Sequence, residues 1–479
     1  MSNDMQDTFN YQELNFMCGL EVHQQIAGAK LFCSCSSDIQ EKNEEVVFER
    51  GLRASAGEIG ETDVAAQYEQ AKARRFIYHG YGHEYCLVDM DEEPPHTINK
   101  KAIGAALEVA LLLKLKIPDI LCIMRKVITD GSCCSSFQRT INVGLETSES
   151  YLETSQGKVR IASLYLEEDA CKIIRTESGK IHYSLSRQGI PLIEIGTRPD
   201  IKSPEQAKEV AEKLGMILRS TEKVRRGIGT IRQDVNVSIK GGHRVELKGF
   251  QDLRSMPKII EEEVRRHLSE TVKSEVRRVN PDGTTTFLRP MPGAARMYVE
   301  TDHPLIFIDE QELKQIKLPE LITEKTLRLE KQYNLSPQLA REIADDTLFE
   351  TYVARFKNIE PSFLAHVLLE IPKEMKTRFK LDPGVLKETD YAFALEHHNN
   401  QVIPKSAILE MLVELAQGKK VDLGKYKAIS EDALAEEIQQ LVAVQKDTTI
   451  NALMGMLMAK YRGKVDGQMV MKLLQKYKK

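Results

Sequence analysis

The residues best suited to chemistry are carboxylates set into apolar strands. The stretch from Arg160 to Asp200 reads as two or three strands joined by polar turns. Glu167, Glu168 and Asp169 close one strand, and Glu194 stands in the middle of another. Leu164 and Leu166 precede the triplet; Leu192, Ile193 and Ile195 surround Glu194. A carboxylate placed there loses water and needs a partner. Two kinds are at hand: a divalent cation shared among several acids, or ion pairs with Lys172, Arg187 and Arg198. Upstream, residues 14–26 read as the first strand. Alternation sets Gly19, Glu21 and His23 on one face and Leu20 and Val22 on the other. Glu21 and His23 then aim a carboxylate and an imidazole at one space. Oxygen-rich sites favour Mg²⁺, and imidazole also suits Zn²⁺. The plainer reading is a surface glutamate beside a satisfied core histidine.

Three further groups carry chemical options. Cys33 and Cys35 can form half of a zinc site, completed by Cys86 and His83; the alternative is buried free thiols. Residues 230–239 and 244–249 read as a β-hairpin. A Lys240-Gly241-Gly242 loop sets Asn236 opposite Glu246 and Asp234 opposite Lys248, with Gly242 left-handed. Arg232, Asp234, Asn236, Glu246 and Lys248 share that face, which suits a phosphate- and metal-binding floor or a plain solvated surface. Arg289 and Arg296 lie in a Pro- and Gly-containing segment where guanidinium forks can meet phosphates. Otherwise they are solvated.

The elements that must position these groups are legible in outline. Asn99 caps a core-facing helix that carries Ile103, Ala106, Leu107, Ala110 and Leu111. Ser203, Pro204 and Gln206 open another, with Ala207, Val210, Ala211, Leu214, Ile217 and Leu218 as its buried stripe. Composition shifts to helix formers from about residue 311, and Gly418-Lys419-Lys420 marks a boundary. From Lys460 to Lys479 seven bases face the single acid Asp466, a footprint for a phosphate backbone or a lysine-rich solvated helix. The chain has 479 residues, 42% hydrophobic and 29% charged, with net charge −4. That composition describes a globular chain of roughly two to four domains and excludes a polycation. No apolar run of about 18 residues predicts a membrane span. The polar N-terminus carries no signal-peptide pattern. Eight cysteines in this length are not a secreted disulfide framework, so a cytoplasmic protein with reduced thiols is expected.

GLEVHQQ with LFCSCSSDI, LRASAGEIGE, CLVDMDEEPPHTINK, MRKVITDGS with FQRT, LEEDACK, GIPLIEIGTRPDIKSPEQA, GTIRQDVNVSI, RVELKGFQDL and PMPGAARMYVETD stand in the order of one family. Over nearly its whole length the chain resembles the GatB/GatE family of tRNA-dependent amidotransferases. Its runs over 86–100 and 130–140 resemble the archaeal E type. The tail LMGMLMAKYRGKVDGQMVMKLL is similar to the family's YqeY-like tail. The resemblance implies an α+β fold. A cradle over 1–310, with an antiparallel β-sheet related to glutamine synthetase and guanido kinases, precedes an all-α helical domain over 311–415 and an all-α YqeY-like tail over 416–479. It also implies a two-step reaction: ATP phosphorylates the γ-carboxylate of glutamate esterified to tRNA(Gln), and ammonia then displaces the phosphate. The ammonia would come through a channel from an asparaginase-like glutaminase, the D subunit, in a heterotetramer.

Carried over from the family, the Mg²⁺ ligands are Glu21, His23, Glu168 and Glu194. Arg232, Arg289 and Arg296 are candidates for ATP phosphate contact, and Asp234 and Glu246 for orienting metal-bound water. Cys33, Cys35 and Cys86 are candidates for zinc, and Lys460, Arg462 and Lys464 for tRNA. Three features depart from the family: no inserted domain precedes Asp282, Cys133-Cys134 replace small polar residues, and Val299 replaces a proline. The alternative function is a catalytically silent tRNA-binding module or a paralogue acting on another tRNA.

Overall fold

Strand β1 (Met17–Gln25) is apolar on one face and polar on the other, and it lies in the middle of a large sheet. The structure, a computed structural model, describes residues 9–250, 252–293, 296–426, 431–445, 448–461, 465 and 467–478. After β1 come β2 (Glu44–Arg50), α1 (Val64–Ala71), β3 (Arg75–Tyr81), α2 (Lys100–Leu112), β4 (Ile120–Leu121) and β5 (Ile123–Val127). Next are β6 (Phe137–Leu145), β7 (Tyr151–Thr154), β8 (Gly157–Glu168), β9 (Lys172–Glu177), β10 (Lys180–Ser184) and β11 (Pro191–Thr197). Then follow α3 (Pro204–Ser220), β12 (Ile231–Ser238), β13 (Val245–Phe250), α4 (Met256–Ser269), β14 (Glu275–Val279) and β15 (Thr285–Pro290). Strands β16 (Met297–Val299) and β17 (Ile306–Phe307) and helix α5 (Glu310–Gln315) close this part of the chain.

The large sheet runs β15-β14-β13-β12-β1-β11-β8-β6-β5-β16, with β7 added on β8. The smaller one runs β2-β3-β10-β9. The expectation of an antiparallel sheet needs correction: the large sheet is mixed. Helix α4 carries the chain from β13 back to a parallel β14, the crossover that parallel neighbours require. Helices α2, α3 and α4 cover one face of the sheet. Leu20, Val22, Leu164, Leu166, Ile193, Ile195, Val235 and Val237 are buried there with Val109, Leu214 and Ile260. With that face closed, strand alternation leaves the other to polar side chains.

Local signals act as expected, with two shifts. Asn99 caps α2 by accepting from the N–H groups of Lys101 and Ala102. Ser203 accepts from Gln206 N–H, but the Gln206 side chain returns to Lys202 N–H rather than that of Ser203. The β12–β13 hairpin has the expected register, Asp234 opposite Lys248 and Asn236 opposite Glu246. Its left-handed residue is Gly241, at φ +78°, and not Gly242. Gly242 is needed for room instead, since a Cβ there would lie 2.7 Å from His267 Nδ1.

The chain divides into two compact units, Met1–Leu321 and Ile322–Lys479, where the composition placed breaks near 310 and 415. The described residues of the second unit contain helices and turns and no strand. Within it, Leu434, Ile438, Leu453, Leu457, Val465, Val470, Leu473 and Leu474 form a cluster of their own. Arg462, Gly463, Lys464 and Asp466 lie outside the described residues. No helix of the described residues is long and apolar enough to cross a membrane.

Candidate active site

Five adjacent strands bring their polar positions into one field. β1 and β11 pair His23 with Glu194, and β1 and β12 pair Glu21 with Asp234 and His23 with Arg232. The hairpin then adds Glu246 and Lys248. On the other side, Glu194 lies opposite Tyr165 of β8, which puts Glu167 two residues along on the same face. All of these groups except Tyr165 line a cavity of about 800 Å³. His23 Nε2 lies 3.2 Å from Glu194 Oε2. Asn236 Nδ2 donates to Glu21 Oε1 at 3.2 Å. Lys248 Nζ donates to Asp234 at 2.6 Å and lies 2.5 Å from Glu246. Lys126 Nζ holds Glu167 at 2.5 Å and stands 3.9 Å from Glu194.

Donor atoms of Glu21, His23 and Glu194 lie within 4.8 Å of one another, and so do those of Glu21, Asp234 and Glu246. Glu21 therefore belongs to two ligand sets. Burial, and then the like charges of Glu194 and Glu246, raise its pKa to about 7. Burial opposes a charged His23, yet the hydrogen bond and charge of Glu194, with Asp234 and Glu21, raise its pKa to about 9. Burial would also raise Glu194, but Lys126, His23 and Lys248 hold it well below the usual carboxylate range. Burial disfavours the charge on Lys248, and Asp234, Glu246 and Glu21 more than restore it. The donor set of carboxylate oxygens and one imidazole fits Mg²⁺, which would relieve the repulsion centred on Glu21. His23 must give up its proton to join such a set.

Glu168 is not brought to this face. It is the next residue after Glu167 on β8, so it projects to the opposite side of the sheet. There Arg139 N–H donates to it at 3.1 Å, and the Arg139 guanidinium lies 3.4 Å away. Glu167 takes the position in the cavity, and Gln138 and Thr140 also donate to it, at 2.9 and 3.0 Å. Lys126, which bridges Glu167 and Glu194, was missed in the sequence because a lysine in a strand gives no signal of its own. Arg232 lines the cavity with its guanidinium held by Asp169 at 2.9 Å. Arg289 and Arg296 line it too, with no ion pair among the described residues, and Arg289 Nε is buried without a hydrogen-bond partner. Arg244 and Arg278 line it in the same unpaired way. In the second unit Lys460 is exposed and ion-paired with Glu437.

A second cluster gathers Cys33, Cys35 and Cys86 with Asp89, whose ligand atoms lie within 4.8 Å of one another. Asp89 replaces His83 as the fourth member, and His83 is exposed. Asp89 sits three residues past Cys86, in a turn where it also accepts from Cys86 N–H. Hydrogen bonds from Cys33 and Cys35 hold the Cys86 thiol well below the usual thiol range. The fully buried Lys30 pairs with Asp89 at 3.0 Å. Three thiols and a carboxylate form a donor set of the kind that holds zinc.

The family profile of the GatB/GatE catalytic domain matches residues 16–314, which span both clusters. The chain is 33% identical to the E subunit of the glutamyl-tRNA(Gln) amidotransferase of Methanocaldococcus jannaschii, over 98% of this chain and 99% of that protein. To the E subunit of the Archaeoglobus fulgidus amidotransferase it is 34% identical, over 98% of each. To that of Thermococcus gammatolerans it is 32% identical, over 98% of this chain and 99% of the relative. The first alignment spans 630 positions against 479 residues here, so at least the difference, 151 positions, holds no residue of this chain.

Proposed function

This chain belongs to the GatB/GatE family, and on that footing we propose that it is the kinase and transamidase component of a tRNA-dependent amidotransferase, converting glutamyl-tRNA(Gln) to glutaminyl-tRNA(Gln). The observation that carries this reading is one cavity lined both by the Glu21–His23–Glu194 set and by the unpaired Arg289 and Arg296. Phosphoryl transfer asks for positioning and charge neutralisation more than for covalent catalysis. Glu21, His23 and Glu194 would hold Mg²⁺, which would supply screening between a triphosphate and an anionic acceptor. Arg289 and Arg296 grip phosphate oxygens. Lys126 fixes Glu167 and Glu194, and Lys248 fixes Asp234 and Glu246, so the acidic wall keeps its shape when substrates enter. A γ-carboxylate oxygen of the glutamyl group attacks the γ-phosphorus and ADP leaves. Ammonia then attacks the acyl carbon and inorganic phosphate leaves.

The rest of the reading rests on the family. The first unit has a cradle fold of the glutamine synthetase and guanido kinase type. The last part of the second is a YqeY-like tail that binds tRNA through Lys460, Arg462 and Lys464. Cys33, Cys35, Cys86 and Asp89 hold a structural zinc. Ammonia comes from an asparaginase-like D subunit in a heterotetramer. The test is conversion of glutamyl-tRNA(Gln) with ATP, Mg²⁺ and ammonium, which bypasses the partner. Conversion by the wild type and its loss in Glu194→Ala support the reading; no conversion even with a glutaminase partner added defeats it.

A further inference from the structure

Two partly exposed aromatic rings line the cavity among its charged groups. Tyr68 of α1 is 36% exposed and Phe287 of β15 is 48% exposed. The rings meet edge to face, 6.0 Å apart at 87°, so each fixes the other. Both line the cavity that holds Glu21, His23, Glu194 and Arg289. Phe287 precedes Arg289 by two residues, about 7 Å of strand. That is the scale of the sugar between a nucleobase and its first phosphate. Lys72 Nζ, held by Glu69 at 2.7 Å, lies 4.3 Å from the centre of the Tyr68 ring, and Arg278, which has no ion pair among the described residues, pairs across the strands with Thr286, next to Phe287. Exposed rings set among cations are how proteins hold a base by its face and its phosphates by charge.

We propose that Tyr68 and Phe287 form a stacking platform for a purine ring entering the cavity. Two sources offer such a ring, the adenine of ATP and the terminal adenosine of an RNA acceptor end. The proposal rests on reading the cavity as a nucleotide site. A purely structural role, pinning α1 to β15, would survive the conservative change Phe287→Leu.

The chain has no tryptophan, so the emission of 2-aminopurine reads without protein background. Wild type, Phe287→Leu and Tyr68→Leu are titrated with 2-aminopurine riboside triphosphate plus Mg²⁺, and separately with an acceptor-stem RNA ending in 2-aminopurine. Calorimetry measures binding of each ligand and of inorganic tripolyphosphate. The expected result is quenching in the wild type, lost in the variants, with that ligand bound about tenfold more weakly. Tripolyphosphate affinity stays unchanged, which also shows that the variants are folded. Quenching of the nucleotide assigns the platform to ATP, and quenching of the RNA assigns it to the acceptor end. Binding without quenching, or quenching that persists in both variants, overturns the platform alone. No binding of either ligand to the wild type overturns the platform and the nucleotide reading beneath it.

Discussion

Glu21 is the residue at which the candidate active site works against the fold, so Glu21→Gln should separate the two. The carboxyl of Glu21 is raised from 4.5 to about 7, first by burial and then by Glu194 and Glu246. In the unfolded chain it loses its proton near 4.5; in the folded chain it keeps it to about 7. Stability of the metal-free protein therefore falls as pH rises through that window, and levels off above it. The shift corresponds to about 3 kcal/mol. Glutamine keeps the Asn236 contact in shape and carries no charge, so above about pH 7 the variant should be more stable than the wild type in EDTA by about that much. At about pH 5 the two should nearly coincide. A ligand present at a hundredfold excess over its Kd adds about 2.7 kcal/mol. Saturating Mg²⁺ should thus bring the wild type up and leave the variant where it was. Urea unfolding at about pH 5 and about pH 8, each in EDTA and in Mg²⁺, gives all the numbers. A variant less stable than the wild type at the higher pH in EDTA, or one that gains as much from Mg²⁺, would refute the idea that repulsion around Glu21 is what a cation relieves.

Further outcomes follow from the geometry. Glu167→Gln should lower tRNA-dependent ATP turnover by about 10- to 100-fold, because Lys126 loses the partner that places it beside Glu194. Glu168→Gln should mainly lower the unfolding midpoint, because it weakens the buried contact with Arg139; equal kinetic losses in the two would contradict the strand phase. With zinc removed, Asp89→Asn should destabilise by about 3–5 kcal/mol, since it leaves the fully buried Lys30 ammonium uncompensated. Lys30→Met should cost less in the zinc-free protein, because burial raises the Asp89 carboxyl to about 7 and it can take up a proton; chemical denaturation in EDTA ranks the two. Metal analysis of purified protein should find one zinc per chain in the wild type and a much smaller amount in Cys86→Ser.

The sequence made the site legible wherever a period of two could be anchored. Leu20 and Val22 point into the core, so Glu21 and His23 could be read onto one open face, and the hairpin register followed from matching polar with polar across the loop. The same logic was available at the acidic triplet. Leu164 and Leu166 are core residues, and the residue next in phase with them is Glu168, which leaves Glu167 on the open side. Family likeness carried Glu168 into the ligand set, and three successive acids hid the phase. Other features were beyond local pattern. Asp89 joins the thiols because a turn after Cys86 folds it back, while His83 faces solvent. Nothing near Lys30 announces a buried ammonium, since its partner lies 59 residues on. Tyr68 and Phe287 come from a helix and a strand more than two hundred residues apart, and only tertiary packing makes them neighbours. The parallel pairing of β13 and β14 needed α4 to be seen as a crossover, which its periodicity alone does not reveal.

The most direct test of the central claim is label transfer from [γ-³²P]ATP to glutamyl-tRNA(Gln) with Mg²⁺ and no ammonia, by the wild type and by Glu194→Ala. The account predicts labelled aminoacyl-tRNA with the wild type, removed by added ammonium as inorganic phosphate appears, and none with the variant. Label transfer that persists in Glu194→Ala, or its absence in a wild type that still makes glutaminyl-tRNA(Gln), would contradict it.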